Sequence, residues 1–123
     1  GWTPLGSPAS NLIGPNFTPP FPAYTSGHAG LGSAMFQVLR RLYGDNLTFT
    51  FVSDEMNGIT RDHHGHVRPL APRTFTTLSQ AEEENGQSRI YIGVHWAFDK
   101  TRGIATGRQV GDYVVQHGLV RPN

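Results

Sequence analysis

The chain has 123 residues, the size of one domain. Its hydrophobic share of 37 %, supplemented by 15 glycines, reaches the usual globular range, so bulk disorder is excluded. A net charge of +1 gives no electrostatic footprint for nucleic acid or an anionic membrane. The absence of cysteine excludes disulfides and thiolate chemistry. No apolar run approaches the ~18 residues that a membrane span needs. Lys100 is the single lysine and the other basic side chains are arginines, which suit bidentate recognition of oxyanions.

Residues 1–25 form a proline-rich segment that can be neither helix nor central strand, and it reads as an extended arm. Trp2, Leu5, Leu12, Ile13, Phe17 and Phe21 make this arm too apolar for a free linker. Residues 26–123 form the core. A first helix is expected from Ser26-Gly27-His28 to about Tyr43, with Leu31, Met35, Val38, Leu39 and Leu42 at helical spacing. The small residues Ala29, Gly30, Gly32, Ser33 and Ala34 in its first turns permit close approach of another backbone or a ligand. Leu47 to Val52 alternate as a short strand, and Ser53 to Pro72 read as polar loop with turn signals at Asn57-Gly58 and His64-Gly65. A second helix is expected over Thr74 to Gly93 and a third over Phe98 to His117. Ile104, Val110, Tyr113, Val114 and Leu119 give the third helix its apolar face, and Gly118 stands at its end. The fold class is therefore all-α, a helical bundle with long irregular connections.

Two stretches hold the chemistry. In Thr25-Ser26-Gly27-His28, a serine and glycine at a helix start offer a hydroxyl and exposed N–H groups to an anion. His28 stands beside them as a proton donor or acceptor. Taken alone, the same four residues also describe an ordinary helix cap. In Ser88 to Asp99, His95 and Asp99 are four residues apart, so the carboxylate can orient the imidazole and leave one ring nitrogen as ligand or nucleophile. Arg89 lies six residues before His95 and would point about 120° away on one continuous helix. Gly93 permits a break that brings both onto one oxyanion.

Together these stretches resemble the second and third signature motifs of the type 2 phosphatidic acid phosphatase superfamily, which includes the vanadium-dependent haloperoxidases. The second motif is matched by Ser26-Gly27-His28, with Thr25 where the family has proline. The third is matched by Ser88, Arg89, His95 and Asp99 at the family's spacing. Trp2 to Gly6, Pro19 to His28, Phe36 to Arg41, Asn57-Gly58 and Gly93 to Asp99 extend the likeness to the C-terminal part of chloroperoxidase-like members. The resemblance implies a haloperoxidase that uses hydrogen peroxide to oxidise chloride or bromide to hypohalous acid, with vanadate as cofactor and phosphate as competing oxyanion. It implies His95 as the vanadate ligand and Asp99 as its orienting carboxylate. Ser26, Gly27 and Arg89 would hold the oxyanion, His28 would be the acid–base residue, and Phe21 would line the halide side. An acid phosphatase with His95 as nucleophile, or a phosphate-binding fragment without activity, are the alternative functions.

The family's first motif, Lys then Arg-Pro, should precede the second, yet no Lys or Arg precedes Thr25. The chain is thus expected to be the C-terminal fragment of a longer protein, with Lys and Arg supplied by the missing N-terminal half or by another chain. Arg61 and Arg68-Pro69 imitate that motif but follow the second one, and read as polar loop. His63, His64 and His66 read as solvated loop, with a divalent metal site as the alternative. Glu82-Glu83-Glu84 read as an exposed helix face, and Trp96 as either a pocket wall or a core aromatic. The sequence leaves the compartment unknown, with secreted or periplasmic favoured.

Overall fold

The computed structural model describes residues 21–62 and 64–118. Among them are three helices and one two-stranded sheet, in the order α1 (Gly27–Tyr43), β1 (Phe49–Phe51), β2 (Arg73–Phe75), α2 (Leu78–Tyr91) and α3 (Ala97–His117). The architecture is a helical bundle, as the residue pattern implies. Residues 1–20 of the arm, and Leu119, lie outside the described residues.

Local chemistry sets each helix end. The Ser26 hydroxyl accepts the Ala29 N–H at 3.2 Å and starts α1, while Gly44 at φ +80° stops it with its N–H on the Arg40 carbonyl. Arg40 and Arg41 in the last turn complement the helix dipole. Helix α2 starts at Leu78 rather than at Thr74, because Arg73–Phe75 pair with β1 and Thr77 caps the helix through the Gln80 N–H at 3.0 Å. The strand expected over Leu47 to Val52 is confined to Phe49–Phe51.

Between the strands, residues 53–72 form a long irregular hairpin rather than a plain loop. Isolated bridges join Asn57 to Leu70 and Arg61 to Val67. Asp62 closes its tip by accepting the His64 and His66 N–H groups, each at 2.9 Å. Phe49 faces Phe75 across the sheet with ring centroids 5.3 Å apart. These rings, with Phe36, Leu39 and Leu78, wall an apolar cavity of about 510 Å³ between the hairpin, α1 and α2.

Helices α1 and α3 meet along a seam of small residues. Gly103, Gly107 and Gly111, each four apart, share one face of α3. A Cβ on Gly107 would come within 2.2 Å of the Gly30 carbonyl oxygen and 2.8 Å of the Ser33 Cβ. A Cβ on Gly111 would come within 2.7 Å of the Ala34 carbonyl oxygen. The small residues of α1 therefore do admit another backbone, and that backbone is α3. This seam replaces the apolar face expected of α3: Ile104 is buried, but Val110, Tyr113 and Val114 are exposed. The large apolar residues of α1 are displaced in the same way, since Ala29 and Ser33 fill the seam while Leu31 is 78 % exposed.

The Glu82-Glu83-Glu84 run divides as well. Glu83 is exposed and Glu84 is partly so, where it pairs with Arg73. Glu82 is fully buried, because Arg40 of α1 and Arg108 of α3 both converge on it.

Candidate oxyanion site

The site gathers at one end of the bundle, where α1 begins, α2 ends and α3 begins. Ser26 is buried as the cap of α1. Because its oxygen accepts the Ala29 N–H, its hydroxyl proton remains to be donated. The N–H groups of Gly27 and His28 belong to the first turn, which has no intrahelical acceptors for them.

Helix α2 stops at Tyr91, and Gly93 at φ +79° turns the chain before α3 starts at Ala97. That left-handed conformation suits glycine, and it is the break that lets Arg89 and His95 share a site. His95 sits just ahead of the α3 cap residue, with its side chain 5 % exposed. Asp99, in the first turn of α3, is fully buried. Its Oδ2 accepts the Trp96 N–H at 2.9 Å and lies 3.5 Å from His95 Nδ1, beyond hydrogen-bond length. The imidazole is thus aligned on the carboxylate through Nδ1, which leaves Nε2 for another partner.

The polar atoms in this corner are incompletely satisfied. Arg89 Nε, His95 Nδ1 and Asp99 Oδ1 are buried without a hydrogen-bond partner among the described residues. The fourth such atom, Ser33 Oγ, lies in the α1–α3 seam. His95 Nδ1 has the Asp99 carboxylate as its neighbour at 3.5 Å, and Asp99 Oδ1 is an acceptor that no anion would satisfy, so the donor left open for a further group is the buried Arg89 Nε–H. A tetrahedral oxyanion suits the donor set of guanidinium, imidazole, hydroxyl and helix-end N–H groups.

The electrostatics agree. Burial lowers the His28 imidazole below its usual value, Arg89 lowers it further, a hydrogen bond with Asn85 opposes this, and His95 adds to the lowering. Burial also lowers the Arg89 guanidinium. Arg89 thus stands close enough to disfavour a proton on His28, an effect that a bound anion would offset.

Asn85 is a member of this corner that sequence reasoning missed. It lies one turn before Arg89 on α2, and its amide donates to the His28 carbonyl at 3.4 Å. An asparagine four residues before a motif arginine carries no distinguishing sequence signal. Phe21 is 63 % exposed, and the aromatic pair formed in its neighbourhood of sequence is Tyr24 stacked on Phe98, 6.0 Å between centroids. Trp96 is exposed, which removes the core-aromatic alternative.

The other sequence candidates belong to the hairpin. Arg61 donates to the Gly65 carbonyl at 2.6 Å, and the Arg68 N–H bonds the Thr60 carbonyl at 2.8 Å. His66 Nδ1 lies 3.5 Å from Asp62, and no group of three metal-ligating side chains occurs among the described residues. His63 lies outside them. None of the described helices is long and apolar enough to cross a membrane.

Three helix ends thus converge on one corner of a helical bundle, with the donors of Ser26, His28, Arg89 and His95 grouped there. A family model described as the VCPO second helical-bundle domain matches residues 1–120. The chain belongs to this vanadium chloroperoxidase (VCPO) domain family. It is 39 % identical to vanadium chloroperoxidase of Curvularia inaequalis over 80 % of this chain and 20 % of that protein. The crystal structure of the first bacterial vanadium-dependent iodoperoxidase is 37 % identical with a TM-score of 0.62, covering 81 % of this chain and 22 % of that one. Holo-type bacterial vanadium-dependent chloroperoxidase is 29 % identical with a TM-score of 0.64, covering 77 % and 20 % respectively. The chain therefore spans about a fifth of the length of these relatives.

Proposed function

We propose that this chain forms the two-histidine part of a vanadate-dependent haloperoxidase site, serving the peroxide-driven oxidation of chloride or bromide to hypohalous acid. The observation that carries it is the buried Arg89 Nε–H, without a partner among the described residues, close to His28 and to a His95 seated on Asp99 beside the start of α1. Vanadate, when bound, supplies a Lewis acid that activates hydrogen peroxide toward halide.

The chain's own residues have separable roles. His95, oriented by Asp99 through Nδ1, offers Nε2 as the ligand. Arg89, the Ser26 hydroxyl and the Gly27 N–H neutralise and orient the oxyanion's oxygens. His28, held below the usual histidine value, stands neutral near pH 7 and can take a proton at an imidazole nitrogen. The chain spans about a fifth of its relatives' length, and the Lys and Arg of the first motif are left to other parts of such a protein in this reading.

The test is orthovanadate binding followed by vanadium NMR, alongside halide oxidation assayed with hydrogen peroxide. His95→Ala is expected to abolish vanadate binding, whereas His28→Ala keeps binding within a factor of a few and impairs turnover. Unchanged binding in His95→Ala would overturn the assignment. Phosphomonoester cleavage that needs no vanadate would instead establish the phosphatase chemistry, with His95 as nucleophile.

A further inference from the structure

Glu82 is a fully buried carboxylate for which the proposed chemistry has no use. Burial pushes the pKa of its carboxyl up, but hydrogen bonds from Arg108 and Arg40 outweigh that and hold it below its usual value, so it is charged. Its two oxygens are bonded from two helices, and Oε1 also accepts from Arg108 Nε at 3.3 Å. Oε1 takes Arg40 of α1 at 2.8 Å, and Oε2 takes Arg108 Nε of α3 at 3.0 Å. Arg40 is held in turn by the Gln37 side-chain oxygen at 2.9 and 2.7 Å, and the Gln37 amide donates to Asp112 of α3 at 2.7 Å.

A buried ion pair is weak evidence for stability, because desolvation offsets most of the attraction. What it fixes well is register, since both partners must meet. Glu82 and Arg89 are seven residues apart on α2, about 20° from the same direction. Gly86 lies between them on that face, where a Cβ would come within 2.8 Å of Lys100 Cγ and 3.2 Å of Ile104 Cδ1. On α3 the facing residues Lys100, Ile104 and Arg108 are four apart and form one stripe. The two helices therefore run antiparallel here, with Glu82 on Arg108, Gly86 on Ile104 and Lys100, and Arg89 directed to the start of α3. A slip of one helical turn would carry Arg89 about 5.4 Å along the axis and off the site.

We propose that Glu82 is a positioning residue for the oxyanion site: by joining α2 to α1 and α3 at once, it sets the register that delivers Arg89 to His28 and His95. The inference rests on the oxyanion reading above. It concerns Arg89 placement, so it has a readout independent of catalysis.

The experiment follows the Nε–H resonance of Arg89 by nitrogen-15 NMR and the orthovanadate affinity, both in the full-length protein that carries these residues. The variants are Glu82→Gln, Arg108→Gln and the surface control Glu84→Gln. Glu82→Gln is expected to shift the Arg89 signal toward that of an exposed arginine and to weaken vanadate binding about tenfold. Arg108→Gln, which cuts only the α3 side, moves both in the same direction by less. Glu84→Gln leaves both unchanged. If folded Glu82→Gln keeps the wild-type Arg89 signal and affinity while only its melting temperature falls, Glu82 is merely structural and the proposal is overturned. Should Glu82→Gln fail to fold, Arg108→Gln decides by the same criteria. His95→Ala separates the two claims: retained vanadate binding there defeats the oxyanion reading, and the Arg89 signal alone then decides the role of Glu82.

Discussion

The two sides of helix α1 are built on opposite rules. Toward α3 it presents Ala29, Gly30, Ser33 and Ala34, and the opposing backbone comes so near that a methyl group on Gly107 has no room. Away from α3 it presents Leu31, Met35 and Leu42, all exposed. The side with the smaller side chains is the packed one. Contact between backbones holds the two halves of the site at a fixed distance, since Ser26 lies at one end of the seam on α1 and Asp99 continues the glycine row on α3 four residues before Gly103. Among the described residues the larger side chains of α1 instead line the cavity beside the sheet, as Met35, Phe36 and Leu39 do, or stay exposed, as Leu31 and Leu42 do.

That contrast can be broken at its tightest point. Gly107→Ala places a Cβ against the Gly30 carbonyl and should destabilise the chain by about 3 kcal/mol, read as a lower melting temperature. A change under about 0.5 kcal/mol would show that the seam yields easily. A smaller effect is expected at Ser33, whose buried hydroxyl has no partner among the described residues. Ser33→Ala removes that orphan and should stabilise by about 1 kcal/mol in urea denaturation; a loss instead would reveal a bonded hydroxyl. The smallest effect belongs to the outward side. Leu31→Gln should shift stability by less than about 0.5 kcal/mol, because Leu31 is already in water. A larger loss, dependent on protein concentration, would show that this side is covered in solution.

The same contrast explains which parts were legible in the sequence. The resemblance to the second and third family motifs points to Ser26, Gly27, His28, Arg89, His95 and Asp99, and Gly93 signals the break between α2 and α3. Helix α1 is legible from its cap to its terminating glycine. The packing was less so, because periodicity weights large apolar side chains and gives Gly103, Gly107 and Gly111 no weight. It therefore selects Val110, Tyr113 and Val114, which lie outside. Glu82 was hidden for a different reason: a run of three glutamates looks the same whether or not an arginine 26 residues later folds onto one of them. The start of α2 was misplaced because Thr74 and Phe75 owe their strand to a partner 24 to 26 residues away, beyond any local pattern.

The hairpin between β1 and β2 separates the chain into two unequal lengths of site. Its tip turns at Gly65, with φ +84°, and a methyl group there would meet nothing. Ahead of that turn lie Ser26, Gly27 and His28; beyond it lie Arg89, His95 and Asp99. A peptide bond opened at Gly65 would leave each piece with one histidine of the pair, and the α1–α3 seam with the Arg40–Glu82 pair would be the means of reuniting them. Recovery of oxyanion binding on mixing would then report association of the pieces, so the tip offers a point at which this site can be divided and reassembled at will.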